Sequence, residues 1–250
     1  MESNKRINKF QKYDLKESVG AFWVVMIIVN IFVYALASYT NSNSNVKFGP
    51  FIHDGDLFSI AGSNIMPILI FFIIYGITMY YEYFALALSF GVTRRDFYKS
   101  AIVDNFQVSL IFAFVQSVLQ IIDKNVIESL GINPMVDFGI FNTSRDNIFF
   151  IILSLFTFFL VCASLSNLLG VLQYKFGYKF WIVFGIISLF GLVWENSFHL
   201  IANVLGIFSK IYLWIESIFS KFTIFPLGLL IIIISYTLGY LLIRRVDIRK

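Results

Sequence analysis

The sequence predicts an all-α, polytopic membrane protein with six transmembrane helices and both termini in the cytoplasm. Three observations lead there. Of 250 residues, 58% are hydrophobic and only 14% are charged. The apolar residues come in charge-free runs long enough to cross a bilayer, and the basic residues gather on one side of those runs. Soluble chains average roughly 45–50% apolar and about 25% charged residues, and even a domain of about 300 residues leaves roughly a quarter of its unfolded surface exposed. Thirty Phe must therefore meet lipid or one another. A net charge of +4 is too small for a nucleic-acid footprint. The single Cys162 excludes an intramolecular disulfide and a Cys-based zinc site.

A helix crosses roughly 30 Å of hydrocarbon with about 20 apolar residues. The stretch from Ser18 to Val46 holds the first span, which ends near Tyr39, where Thr40-Asn41-Ser42-Asn43-Ser44-Asn45 turns polar. The second runs from Leu57 to Tyr81, with Pro67 and Gly76 as expected kinks. The third covers Asn105 to Ile122, extended back to Ala101, and the fourth Ile148 to Tyr174. The fifth, Phe180 to Trp194, has only 15 residues, but Lys179 can snorkel at one end and Glu195 can sit among headgroups at the other. The last span is Phe222 to Ile243. Residues 196–221 are too apolar for an exposed loop and are interrupted by Lys210 and Glu216. They read as one or two re-entrant helices between the fifth and sixth spans, tolerated where packed on protein. The chain thus divides into a lead-in (1–18, with Ile7, Phe10 and Leu15 as its apolar side), one transmembrane domain (19–243) and a basic tail (244–250). Ala35-Leu36-Ala37 resembles a signal-peptidase site, but the acids Glu2, Asp14 and Glu17 before it and the length of the apolar run argue against cleavage.

Charge fixes the expected orientation. Fourteen basic residues lie on one side: five in the lead-in, Arg94, Arg95 and Lys99, then Lys175 and Lys179, and four in the tail. Five lie on the other: Lys47, Lys124, Arg145, Lys210 and Lys221. By the positive-inside rule the first side is cytoplasmic. Trp23, Trp181, Trp194 and Trp214 fall near span ends or in the membrane-associated stretch, as an aromatic belt requires.

The segment between the second and third spans, Glu82 to Lys99, is the most informative. Glu82 to Phe90 reads as an interfacial helix. Gly91 suits a left-handed cap at its end. Thr93 then caps the next helix, with Asp96 three residues on in a variant capping box. Arg94 and Arg95 are presented at the corner, and Lys99 follows one turn later.

The run Ser-Phe-Gly-Val-Thr-Arg-Arg-Asp-Phe-Tyr-Lys-Ser (Ser89 to Ser100) resembles the glycine, hydroxyl, arginine, aromatic and lysine pattern before the third span of membrane (permease) subunits of ATP-binding-cassette exporters with six-helix, "type 2" permeases. The six spans, the basic lead-in and the re-entrant helices extend the resemblance over the whole chain. Glu82 falls where these permeases often carry an acid opening the coupling helix. The usual Glu-Arg-Glu-like start is absent, replaced by Glu82-Tyr83-Phe84. The resemblance implies that Glu82, Gly91, Thr93, Arg94, Arg95, Asp96 and Lys99 build the coupling corner. It also implies a chain that is not itself an enzyme. No glycine is followed by lysine, so the chain lacks a phosphate-cradling loop, and ATP and Mg would belong to a partner ATPase subunit. A homodimer or a sister permease would form the path. Small Phe- and Ile-rich permeases of this kind export antimicrobial peptides or phenol-soluble modulins from Gram-positive bacteria, so the implied cargo is amphipathic or hydrophobic and the implied location the bacterial plasma membrane.

Other polar residues invite simpler readings. Asp104 lies within snorkelling range of the interface. Glu195 and His199 share a helix face but lack further metal ligands. His199 with Asn203 supports the alternative function of an intramembrane hydrolase or a peptide-immunity protein, and a non-catalytic scaffold is a third reading. Phe71-Phe72 and Phe149-Phe150 are expected to face lipid.

Overall fold

A computed structural model describes residues 2–42, 57–183, 185–186 and 224–244. In chain order the elements are α1 (Glu2–Ser42), α2 (Ile60–Ser63), α3 (Ile65–Thr78), a π-helical turn (Met79–Phe84), α4 (Ala85–Ser89), α5 (Arg94–Ser129), α6 (Ile148–Phe176) and α7 (Ile224–Ile243). Five stretches are long and apolar enough to cross a membrane: Lys16–Tyr39, Ile60–Ser89, Arg94–Ser129, Ile148–Phe176 and Phe225–Ile243. The protein is therefore a helical membrane protein, and these five correspond to the first four expected spans and the last. Residues 178–183 are helical and begin the expected fifth span, most of which lies outside the described residues. So do the expected re-entrant stretch 196–221, with Glu195, His199 and Asn203, and the tail beyond Arg244.

α1 passes through residue 18 unbroken, joining the lead-in to the first span. It contains no Pro, and its one glycine, Gly20, has open space around it. The second span departs from expectation in two ways. Its helix does not stop for a separate interfacial helix at Glu82. No Pro or Gly occurs from residue 77 to residue 90, so nothing ends it before Gly91, and the π turn takes up the extra residue while keeping Tyr80 and Phe84 buried. Its interruption lies at Asn64, between α2 and α3. Pro67 cannot donate to the Ser63 carbonyl and crowds it, so the break precedes the proline. Gly76 lies inside α3. It is where α6 crosses, with a Cβ there falling 2.6 Å from the Ser166 carbonyl oxygen.

Two cores run along the bundle. In one, Phe112 gathers Phe22, Trp23, Phe71 and Phe72 at ring-centroid distances of 4.9–5.3 Å. In lipid such packing rests on van der Waals contact, since tails are as apolar as the rings. Phe72, expected to face lipid, is 1% exposed in this cluster, whereas Phe149 is 76% exposed. Trp23 is likewise buried. The second core joins Tyr80, Phe84, Phe97, Tyr98 and Tyr174 with Val92 and Ile243.

α5 and α6 are antiparallel, with the turn between them at residues 130–147. There Phe58 pairs with the loop through Phe58 N–H to Asn133 O (3.0 Å) and Met135 N–H to Phe58 O (2.8 Å). We call this the distal end, opposite the 82–99 corner. α6 and α7 run in the same direction. Phe150 meets Phe225 near both starts, with centroids 5.8 Å apart. A Cβ at Gly228 would fall 2.8 Å from Thr157 Cγ2. At the corner end Tyr98 Oη donates to Tyr236 O (2.7 Å) and Arg94 Nη1 to Arg244 O (3.2 Å).

Asp104 does not snorkel. It is 3% exposed, because it shares the inward face of α5 with Ala101, Asn105 and Val108, all buried.

Candidate functional site

The corner is built from two local hydrogen-bonded motifs back to back. α4 ends in a Schellman motif. Gly91 takes φ +78°, its N–H donates to Leu88 O (3.0 Å), and Val92 N–H donates to Ala87 O (3.1 Å). Ala87 and Val92 are both buried, the apolar contact that accompanies this cap. α5 then starts at once. Thr93 Oγ1 accepts from Asp96 N–H (3.1 Å) and donates to Asp96 Oδ2 (2.8 Å), a variant capping box in which the carboxylate grips the cap hydroxyl. Beneath it Phe97 and Tyr98 anchor the first turn in the second core.

This arrangement determines which charges remain outside. Arg94 is half-buried and tied to the Arg244 carbonyl. Arg95 and Lys99 are exposed and, four apart on a helix, share one face. Glu82 is exposed on the π turn, and among the described residues no hydrogen bond joins it to Arg94 or Arg95. So Thr93 and Asp96 come together, Arg95 and Lys99 form a basic face, and Glu82 stands apart. Phe90, 61% exposed, adds an apolar contact point beside them.

The corner motifs carry a direct prediction. A Cβ at Gly91 would meet nothing within 4 Å, so Gly91→Ala should be penalised by its left-handed φ alone, about 1–2 kcal/mol. Thr93→Ala should cost about 1 kcal/mol through the lost cap. Thermal unfolding in detergent should rank wild type above Gly91→Asn and Gly91→Asn above Gly91→Ala, since Asn tolerates this conformation better. Equal melting for all three would refute the assignment.

The second feature lies in the third span, whose average hydropathy hides it. Asn105, Ser109, Gln116, Ser117, Gln120 and Asp123 are all buried on α5, and their spacing of three, four and seven puts them along one face. That spacing was the signal available. α6 adds buried Ser154, Thr157, Ser164, Ser166 and Asn167. Part of this seam is hydrogen-bonded: Gln116 Nε2 donates to Ala61 O (2.6 Å), and Tyr80 Oη donates to Asn167 Oδ1 (3.0 Å). Both amide atoms of Gln120, with Asn30 Nδ2 and Ser109 Oγ, have no partner among the described residues. Buried polar groups inside a membrane are costly and mark functional paths by default.

At the distal end the seam closes in a latch. Asp123 accepts Tyr34 Oη on Oδ1 (2.5 Å), Ser59 Oγ on Oδ2 (2.6 Å) and Ile60 N–H on Oδ1 (3.3 Å). One side chain of α5 thereby holds α1 and the start of α2. Beside it lies an open cavity of about 500 Å³, walled by Phe58, Ile65, Met135, Phe138, Leu155 and Phe158 among others. Such a wall suits an apolar or amphipathic ligand. Among the described residues no three His, Cys, Asp or Glu side chains gather as a metal site. Comparison of the chain with protein families, with curated proteins and with solved structures finds no match.

Proposed function

We propose that this chain is the permease subunit of an ATP-driven exporter in the bacterial plasma membrane, forming with a second copy or a sister permease a path for an amphipathic or hydrophobic cargo. A separate ATP-binding-cassette subunit hydrolyses ATP with Mg. The observation that carries the reading is the corner. Two caps in three residues make a stiff turn whose exposed Arg95 and Lys99 suit acidic edges of an ATPase by charge-assisted hydrogen bonds. A push there reaches α5 through its anchored first turn and α7 through Arg94 and Arg244.

Two further observations support it. The partly unsatisfied seam of α5 and the distal apolar cavity offer, along one axis, the polar and apolar contacts an amphipathic cargo needs. The parallel run of α6 and α7 supports the six-span reading, in which one span between them leaves both running the same way. The end of α7 near Arg94 supports the reading of this end as the side that the charge count assigns to the cytoplasm.

The test is co-purification with an ATPase encoded beside this chain's gene. Arg95→Glu with Lys99→Glu is expected to reduce recovery of the ATPase at least tenfold, about 1.4 kcal/mol, while the permease stays monodisperse. Undiminished recovery sinks the coupling role of the corner. Arg94 is the poorer choice for this test, since its substitution also loosens α7.

A further inference from the structure

Between the corner-end halves of α6 and α7 lies a groove of about 690 Å³, walled by five leucines, Leu172 and Leu238 among them, with Lys175 and Arg244 as its two cations. No acid lines it among the described residues. Lys175 Nζ lies 5.3 Å from the Phe176 ring centroid, and the Arg244 carbonyl accepts from Arg94 Nη1, which brings a third cation to the same end. The Arg244 side chain is exposed, as are Leu238 and Leu241.

We propose that this groove binds an anionic glycerophospholipid of the adjoining leaflet, its phosphate between Lys175 and Arg244 and an acyl chain along the leucines. Charge complementarity argues for this occupant. The cations sit at the corner-end tips of α6 and α7, and the leucines extend along the helices from Lys175 to Leu168 and from Arg244 to Leu238. Those runs are about two helical turns long, roughly 10 Å, which matches the upper part of an acyl chain below its headgroup. An acidic peptide side chain would use the two cations but leave the leucine-lined length of the groove unfilled. Basic pockets between spans on the cytoplasmic side attract anionic headgroups in this way, and the charge asymmetry of the chain assigns this end to that side. The inference does not depend on the exporter reading.

The full-length protein, purified in mild detergent and mixed with equal amounts of phosphatidylglycerol and phosphatidylcholine, is read by native mass spectrometry. Wild type should retain phosphatidylglycerol preferentially. Lys175→Gln with Arg244→Gln should lower that preference about tenfold or more. Leu172→Trp with Leu238→Trp should lower it by filling the groove with the charges intact. Arg95→Gln with Lys99→Gln should leave it unchanged. Inorganic phosphate at millimolar concentration should not compete, because it cannot use the leucines. Equal retention of the two lipids by wild type overturns the proposal, as does an unchanged preference in the Lys175/Arg244 variant. An equal loss in the Arg95/Lys99 variant also overturns it, since that is general surface attraction. Retained phosphatidylglycerol with lost ATPase recovery in the Lys175/Arg244 variant would give the groove to a protein partner instead.

Discussion

Gly170→Val should separate the second and fourth spans and cost about 3 kcal/mol, the upper end of the usual overpacking range. A Cβ at Gly170 would collide with the Gly76 carbonyl oxygen and fall 2.8 Å from Tyr80 Cδ2. The first obstacle is backbone, so no rotamer change relieves it. The second is the ring whose hydroxyl donates to Asn167 at 3.0 Å, so displacing it also breaks a buried hydrogen bond inside the bundle. Ser166 and Gly170 form a small-xxx-small pair on α6, and Gly76 answers it on α3. Close backbone approach of this kind drives helix association in lipid, where burial of apolar surface gives no net preference. Gly76→Ala should act through the same contact, because its Cβ would fall 2.6 Å from the Ser166 carbonyl oxygen. The double variant should therefore lose less than the sum of the singles. Gly20→Ala is the control. Nothing lies within 4 Å of its Cβ, and replacing a mid-helix glycine by alanine should stabilise by up to about 1 kcal/mol. Thermal unfolding in detergent, with monodispersity followed on the same samples, reads all four. If Gly170→Val melts with the wild type, the crossing is not close-packed.

What could be read from residues alone, and what could not, follows the range of the interactions. The corner was legible because each signal is local. Gly91 needs only its own φ, and Thr93 needs only Asp96 three residues on, so sequence spacing contains the geometry. The fourth span was legible from its charge-free apolar run. Asn147 caps it through Phe149 N–H (3.3 Å), and the observed Ile148–Phe176 differs from expectation by two residues at one end. The role of Gly76 was not legible. A glycine that kinks and a glycine that admits a neighbouring backbone look alike until Ser166 and Gly170, some ninety residues away, are known to face it. Phe71 and Phe72 are adjacent in sequence, yet Phe72 is buried while Phe71 only borders the same cluster, a difference set by where α5 brings Phe112. The burial of Asp104 was not legible, because hydropathy reports position along the chain and not which face turns inward. The polar seam lay between these cases. Its period was present in the letters, but an apolar average over the span concealed it.

Asp123 is where that seam carries the largest single consequence. Three donors converge on its carboxyl group: the Tyr34 hydroxyl, the Ser59 hydroxyl and the Ile60 N–H, at 2.5, 2.6 and 3.3 Å. The residue is 3% exposed, so water does not readily replace it. Asp123→Leu keeps the branching at Cγ, adds bulk and removes every acceptor, leaving a buried backbone donor and two hydroxyl donors without their partner, for a loss of about 3 kcal/mol or more. Asp123→Asn should lose less, because its amide oxygen still accepts while its NH2 turns a donor toward donors. Tyr34→Phe removes one donor and its loss should couple to Asp123→Asn, with an interaction energy of about 1–2 kcal/mol in a double-mutant cycle. Stability alone would not separate a latch from a generic buried bond. Ser63→Cys in a Cys162→Ser background makes that distinction, since Ser63 lines the distal cavity and is one turn from Ser59. If Asp123 holds α2 against α5, Asp123→Leu should speed labelling of the introduced thiol by a membrane-impermeant maleimide several-fold at temperatures where the bundle is still folded, and Gly91→Ala, at the other end, should not. Unchanged labelling with lowered stability would mean that the bond fastens the bundle without controlling access to the cavity, and the distal end would then have to open by another element.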